Sequence, residues 1–307
     1  MSSQPDFFVA GYPLSRMRLV DTFTQQQLVK LTREIDADIW GLACGRDGNC
    51  VFAADYQNKN VKKIDIDCSQ ATNVHTCAEG YYPQDLVWLN PLSQKNQELA
   101  LLSEFYFPPK LKVEVLEEGR TGLLAVKQSV AFDIPSSGVG RIAALQNGTI
   151  MICATGLNAV HVWKRGKEKT FPLLIPHNKS QIAGLCILPA STGGTELLAL
   201  SFDDDNSVDV FRICAKLLEH DHHITFPFSP HHLLWIASRK TLLICPNNSE
   251  EYVYALRLWE STHDERVDLR AEARYISCWC VQADPTGVDG VMLYDRNNKH
   301  IKKLVLE

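Results

Sequence analysis

The sequence lacks most of what announces an enzyme or a membrane protein. No nucleophile elbow, phosphate-cradling glycine loop or His-Glu zinc helix occurs in its 307 residues. No apolar run approaches the roughly 18 residues of a membrane span, so no membrane partner is expected. The opening stretch, MSSQPDFFVAGYPLSRMRLV, has no basic segment followed by a long apolar core, and no signal peptide is expected. Charge of one sign is scarce too. Thirty-one Lys and Arg against 36 Asp and Glu leave a net charge of -5, which argues against wholesale nucleic-acid binding. The 10 cysteines show no disulfide-framework spacing, and a chain of this length needs no staples. Reduced thiols in the cytosol or nucleus are the expectation. The sequons at Asn147, Asn178 and Asn247 then carry no glycan.

What is present is a repeat. The phrase ADYQNKNVKKID begins at Ala54, and YDRNNKHIKKLV begins at Tyr294. The first is preceded by DIWGLACGRDGNCVFA, which is an apolar run, an Asp-Gly turn and a second apolar run. Strand, turn and strand follow from that pattern, and Val61 to Ile66 supply a third strand. The same grammar recurs from Arg141, with Asn147-Gly148 as its turn, and from Ile182, with Gly193-Gly194. It returns from His232 and from Tyr275, and more weakly from Asp85.

One large apolar residue anchors the first strand of each copy: Leu42, Trp88, Leu145, Leu185, Trp235 and Trp279. Their spacing of about 40 to 57 residues matches four-stranded propeller blades. Small residues beside the anchors, such as Gly41, Ala144, Gly184 and Cys278, suit strands crowded around a central channel. The expected fold is all-β: a six-bladed β-propeller of four-stranded antiparallel blades. An open ring would leave pairing edges. The N-terminal TFTQQQLVKLTREI is therefore expected to join the last blade and close it. Residues 1–18 would form an extension and 19–307 a single domain. The segment GLLAVKQSVAFDI reads as an outer strand rather than a seventh blade.

The stretch from Ile39 to Asp65 resembles an NHL-type blade through Asp47-Gly48-Asn49, Ala54-Asp55, Asn58 and Val61. Asp295, Asn298 and Ile301 repeat the pattern, and Asn158 with Val160 match in part. No Trp-Asp dipeptide of the WD40 kind occurs. The resemblance implies a propeller of the NHL/YncE-like kind, whose members are mostly binding platforms. Fold alone does not fix function.

Several groups of residues are candidate sites. In SEFYFPPKLKV, Phe105, Tyr106 and Phe107 are expected in a turn, where aromatic side chains serve as interface anchors. Packing against a neighbouring blade is the competing reading. Closure would bring Lys59, Lys62 and Lys63 beside Lys299, Lys302 and Lys303, a patch that would take RNA if it is more than a solvated face. HDHHITFPFSPHH holds His220, His222 and His223, with His220 and His222 expected on one strand face. The prolines at 227 and 230 favour a solvated connection over a metal site there. Asp203, Asp204 and Asp205 read as a hairpin turn, and Cys186, Cys278 and Cys280 as core.

No cofactor is expected. The leading function is a non-enzymatic interaction scaffold for a protein or peptide. An RNA-binding propeller and a metal-dependent hydrolase or lactonase are the alternatives.

Overall fold

The computed structural model describes residues 20–21, 28–30, 35–45, 49–89, 98–119, 121–135, 138–176, 181–188, 196–214, 217–226, 228–236, 241–246, 252–257, 268–274, 278–283, 290–295 and 299–305. The expected extension, residues 1–18, lies outside them, as do the side chains of Cys278, Trp279, Cys280, Lys302 and Lys303.

Two short strands, β1 (Val20–Asp21) and β2 (Leu28–Lys30), come first. A meander follows: β3 (Ile39–Cys44), β4 (Cys50–Asp55), β5 (Asn60–Asp65) and β6 (Ala71–Thr76). The second sheet is β7 (Tyr81–Leu89), β8 (Glu98–Tyr106), β9 (Pro109–Glu118) and β10 (Leu124–Asp133). The third is β11 (Gly140–Ala144), β12 (Ile150–Ala154), β13 (Ala159–Trp163) and β14 (Phe171–Leu174). The fourth is β15 (Ile182–Leu188), β16 (Leu197–Phe202), β17 (Ser207–Ile213) and β18 (Leu218–Thr225). Then come β19 (Pro230–Ile236), β20 (Thr241–Pro246), β21 (Tyr252–Arg257) and β22 (Asp268–Arg274), with β1 added in parallel beside β22. The last strands are β23 (Cys278–Ala283), β24 (Gly290–Asp295) and β25 (His300–Val305). Here β2 runs antiparallel to β25, with Leu28 opposite Leu304.

The first strands pack on one another in chain order, β3 on β7, β7 on β11, β11 on β15, β15 on β19 and β19 on β23, and β23 packs on β3. Four-stranded antiparallel sheets stacked through their first strands make a β-propeller. The anchors Leu42, Trp88, Leu185 and Trp235 lie in such first strands, and Leu145 follows directly on β11.

Stacking explains the sequence pattern. A strand covered on both faces needs apolar residues at every position rather than every second one. All five residues of β12 are buried, as are five of the six in β4. Residues from neighbouring sheets share each core. Ala43, Phe52 and Val61 pack with Leu86, Leu99 and Leu101, while Val208 and Val210 pack with Leu233, Leu242 and Ile244. The outer strand β14 is covered on one side only, and it exposes Leu174 and Phe171.

The twin phrases encode one turn. Asp55 pairs with Asn60, and Asp295 pairs with His300, so each hairpin turns through four residues. The last of the four, Lys59 or Lys299, has positive φ, 53° and 51° respectively. The fourth sheet repeats this between Phe202 and Ser207, with Asn206 at φ 53°. The buried Asp55 holds its own turn by accepting hydrogen bonds from the Asn58 side-chain amide at 2.7 Å and the Asn58 backbone N–H at 3.3 Å.

The copy from Asp85, the weakest by sequence, forms long strands of nine or ten residues. Its fourth strand is the GLLAVKQSVAFDI segment.

Candidate functional site

Antiparallel pairing sets the start of each first strand beside the end of the second: Ile39 opposite Asp55, Tyr81 opposite Phe105, Gly140 opposite Ala154 and Ile182 opposite Phe202. At this end of the first two sheets the aromatic residues gather. Trp40 stacks on Tyr56 at 4.6 Å between ring centroids. Tyr56 meets Tyr82 at 5.0 Å, and Tyr82 meets Tyr106 at 5.3 Å. The Tyr56 and Tyr106 hydroxyls lie 2.6 Å apart, and the Lys59 ammonium sits 4.5 Å above the Tyr82 ring. All four rings are half-buried. Burial, followed by the hydrogen bond with Tyr56, pushes the Tyr106 phenol above its ordinary range.

The expected aromatic turn is therefore corrected. Phe105 and Tyr106 belong to β8, and only Phe107 and Pro108 form the turn. Strand alternation separates the two rings. Tyr106 joins the row, whereas Phe105 packs beside Tyr81 at 5.3 Å and over Gly80. Phe107, at the tip, is 86% exposed. Sequence reading missed Trp40, Tyr56 and Tyr82. The available signal was positional, an aromatic residue near the start of two first strands.

Buried charges lie behind the row. Glu104 has no exposed surface and accepts hydrogen bonds from the Gln84 amide at 3.0 Å and the Gly138 N–H at 2.7 Å. Burial raises its carboxyl to about 7, against the pull of the Gly138 N–H. Asp85 accepts from Ile142 N–H at 3.1 Å and from Leu86 N–H at 2.9 Å, tying the second sheet to the third. Burial lifts it to about 6, opposed by Arg141 and these two amides. Arg141, 1% exposed, places a guanidinium nitrogen 3.3 Å from His231 Nδ1. His231 and His232 are buried in β19, where burial first and Arg141 second hold both imidazoles well below their usual range. The strand was expected to begin at His232 after a solvated connection, and β19 begins earlier, at Pro230.

The lysines are placed individually. Lys62 lies 2.7 Å from Asp55 and donates to the Asp36 carbonyl at 2.8 Å. Lys63 pairs with Glu118 at 2.8 Å, and Lys299 lies 3.9 Å from Asp36. An ammonium neutralised by a carboxylate has little left for a phosphate.

His220, His222 and His223 stand on β18, not in a loop. An unpaired Asp221 interrupts the ladder between the pairs Val210–His222 and Phe211–His220. That bulge puts His220 and His222 on opposite faces, which corrects the expected i, i+2 pair. His222 bonds Asp221 at 2.6 Å, while His223 bonds Asp209. Asp203 to Asp205, with Asn206, form the hairpin turn expected of them. The eight cysteines described are all free, and the buried Cys186 thiol is pushed up to about 12 by burial.

No protein-family model matches the chain. No curated protein matches it in sequence. Solved structures do match in shape. A PQQ-bound aldose sugar dehydrogenase from Streptomyces coelicolor superposes with a TM-score of 0.65 at 13% identity, over 91% of this chain and 96% of the other. The β-propeller domain of Myceliophteria thermophila Cps50 (Swd1) gives 0.55 at 15% identity, over 90% and 85%. A chain of a mitotic checkpoint complex gives 0.59 at 13% identity, over 97% and 100%. The shared feature is the fold. This chain is a β-propeller.

No helix among the described residues is long and apolar enough to cross a membrane.

Proposed function

We propose that the protein is a non-enzymatic interaction scaffold that holds a peptide or a partner domain on the aromatic end of its first two sheets. The observation that carries this reading is the row Trp40, Tyr56, Tyr82 and Tyr106, half-exposed on strand ends and flanked by the exposed Phe107. Large rings held rigid before binding lose little entropy on contact, which is why aromatic anchors dominate interface energetics. The buried hydrogen bonds of Asp85 and Glu104 join the second and third sheets and keep the platform from shifting. Propeller neighbours that occur within protein assemblies, such as the checkpoint chain, support a protein partner.

The scaffold on this reading is a six-bladed propeller of the NHL/YncE-like kind. The cyclic packing of the first strands supports six blades, and the pairing of β2 with β25 supports closure by the N-terminal strand. The proposed compartment is the cytosol or nucleus, which suits the free thiols.

Affinity capture from native extract, with and without nuclease, tests the function. A stoichiometric protein should survive nuclease and be lost from a Phe107→Ala, Tyr82→Ala variant. Partners that vanish with nuclease, or that ignore both substitutions, would overturn the reading.

A further inference from the structure

The bulge in β18 does more than redirect one histidine. Asp209 lies on β17 with no exposed surface, directly opposite His223. Two residues along the same sheet face is Phe211, opposite His220. Because Asp221 is inserted between the pairs, alternation reverses, and His220 and His223 come to share the face that carries Asp209. Asp221 and His222 are drawn aside. Asp221 accepts from Arg212 at 2.7 Å and bonds His222.

The three side chains converge. His223 Nδ1 bonds Asp209 Oδ1, and His220 Nε2 lies 3.8 Å from the same oxygen. One ligand atom from each residue falls within 4.8 Å of the others. A tetrahedral ion with bonds of about 2.1 Å sets its ligand atoms roughly 3.4 Å apart. Side-chain rotation of about 1 Å would therefore seat an ion, while the ladder holds the backbone fixed. The His220 ring is also steered by the edge of Phe211, at 5.6 Å between centroids.

We propose that Asp209, His220 and His223 form a binding site for a divalent transition-metal ion of the zinc type. Two imidazoles and one carboxylate suit that class, whereas calcium and magnesium take oxygen ligands. His220 reaches solvent and His223 is half-buried, so water completes the coordination from outside. The site is independent of the aromatic platform and stands in a different sheet.

The test uses the full chain without a histidine tag, stripped with chelator and titrated with Zn²⁺ by calorimetry and with Co²⁺ by visible absorption. One ion per chain is expected, with cobalt bands of a four- or five-coordinate site. His220→Ala and His223→Ala should each weaken binding by more than about 100-fold, beyond the 10–100-fold typical of outer-shell losses. His222→Ala should leave it unchanged. His220 is exposed, so its substitution spares the fold and decides the matter even if Asp209→Asn does not fold. No binding at micromolar metal, or affinity that follows His222 instead, would overturn the site and leave a hydrogen-bonded Asp209–His223 pair.

Discussion

Gly41 and Asp85 approach so closely that a Cβ on the glycine would stand 2.6 Å from the Asp85 Cα. The obstacle is backbone, which cannot rotate away. Gly184 makes the same kind of approach to the His231 carbonyl oxygen at 2.5 Å. Gly41→Ala or Gly184→Ala should force adjacent sheets apart and cost about 1–3 kcal/mol. Chemical denaturation of either variant, beside an alanine substitution at Gly119, where a Cβ would meet only the Leu123 carbonyl oxygen at 3.5 Å, checks this.

Glu104 and Asp85 should contribute a decline in stability as pH rises from about 4 to about 7. Both are raised in the folded state, to about 7 and about 6, mainly by burial. Between the unfolded and folded values each holds more protons in the native chain than in the unfolded one, so their share of the slope is negative, whereas the depressed imidazoles of His231 and His232 contribute the opposite sign below 6.5. The Gln84 side-chain oxygen has no partner, and an amide at 104 would offer it a donor. Glu104→Gln should therefore flatten the decline, as melting temperatures at pH 5 and pH 8 would show.

Lys62→Met should destabilise the protein by about 3 kcal/mol, because it strands the fully buried Asp55 carboxylate. Lys299→Met, whose partner Asp36 is exposed, should cost less than about 1 kcal/mol. Denaturation of the two variants separates them. Loss of any binding on reversing the charge of Lys62 would thus report on folding and not on a phosphate contact.

Phe107→Ala should leave stability within about 0.5 kcal/mol, since the ring is exposed. Tyr106→Phe should cost about 1 kcal/mol through the lost hydroxyl contact with Tyr56. Both should weaken retention of a protein partner, and pull-down against unfolding curves distinguishes the two effects.

The repeat was legible because its signals are local. Asp55 and Asn58 sit three residues apart and shape their own turn. The anchors were legible for the same reason, since a crowded first strand selects Gly41 and Gly184 close in sequence to Leu42 and Leu185. The site was not. Tyr56 finds Tyr106, and Arg141 finds His231, only through stacked sheets, and no spacing in the chain records those meetings. Phe105 and Tyr106 were expected together in a turn because a Pro-Pro pair follows at 108 and 109. Yet β8 runs through both of them, and Pro109 opens β9. His220 and His222 failed as a pair because one bulged residue reverses strand alternation, and a bulge leaves no fixed mark in composition.

The ladder between β2 and β25 also sets an order of events at the ribosome. Leu28 is made early, and its partner Leu304 follows after nearly the whole chain. At about 5–20 residues per second, that is a wait of roughly 14 to 55 s. The sheets formed by intervening strands can assemble in that interval. The sheet of β2, β23, β24 and β25 joins a strand made before them to strands made after them, and a chain terminated before β25 cannot complete it.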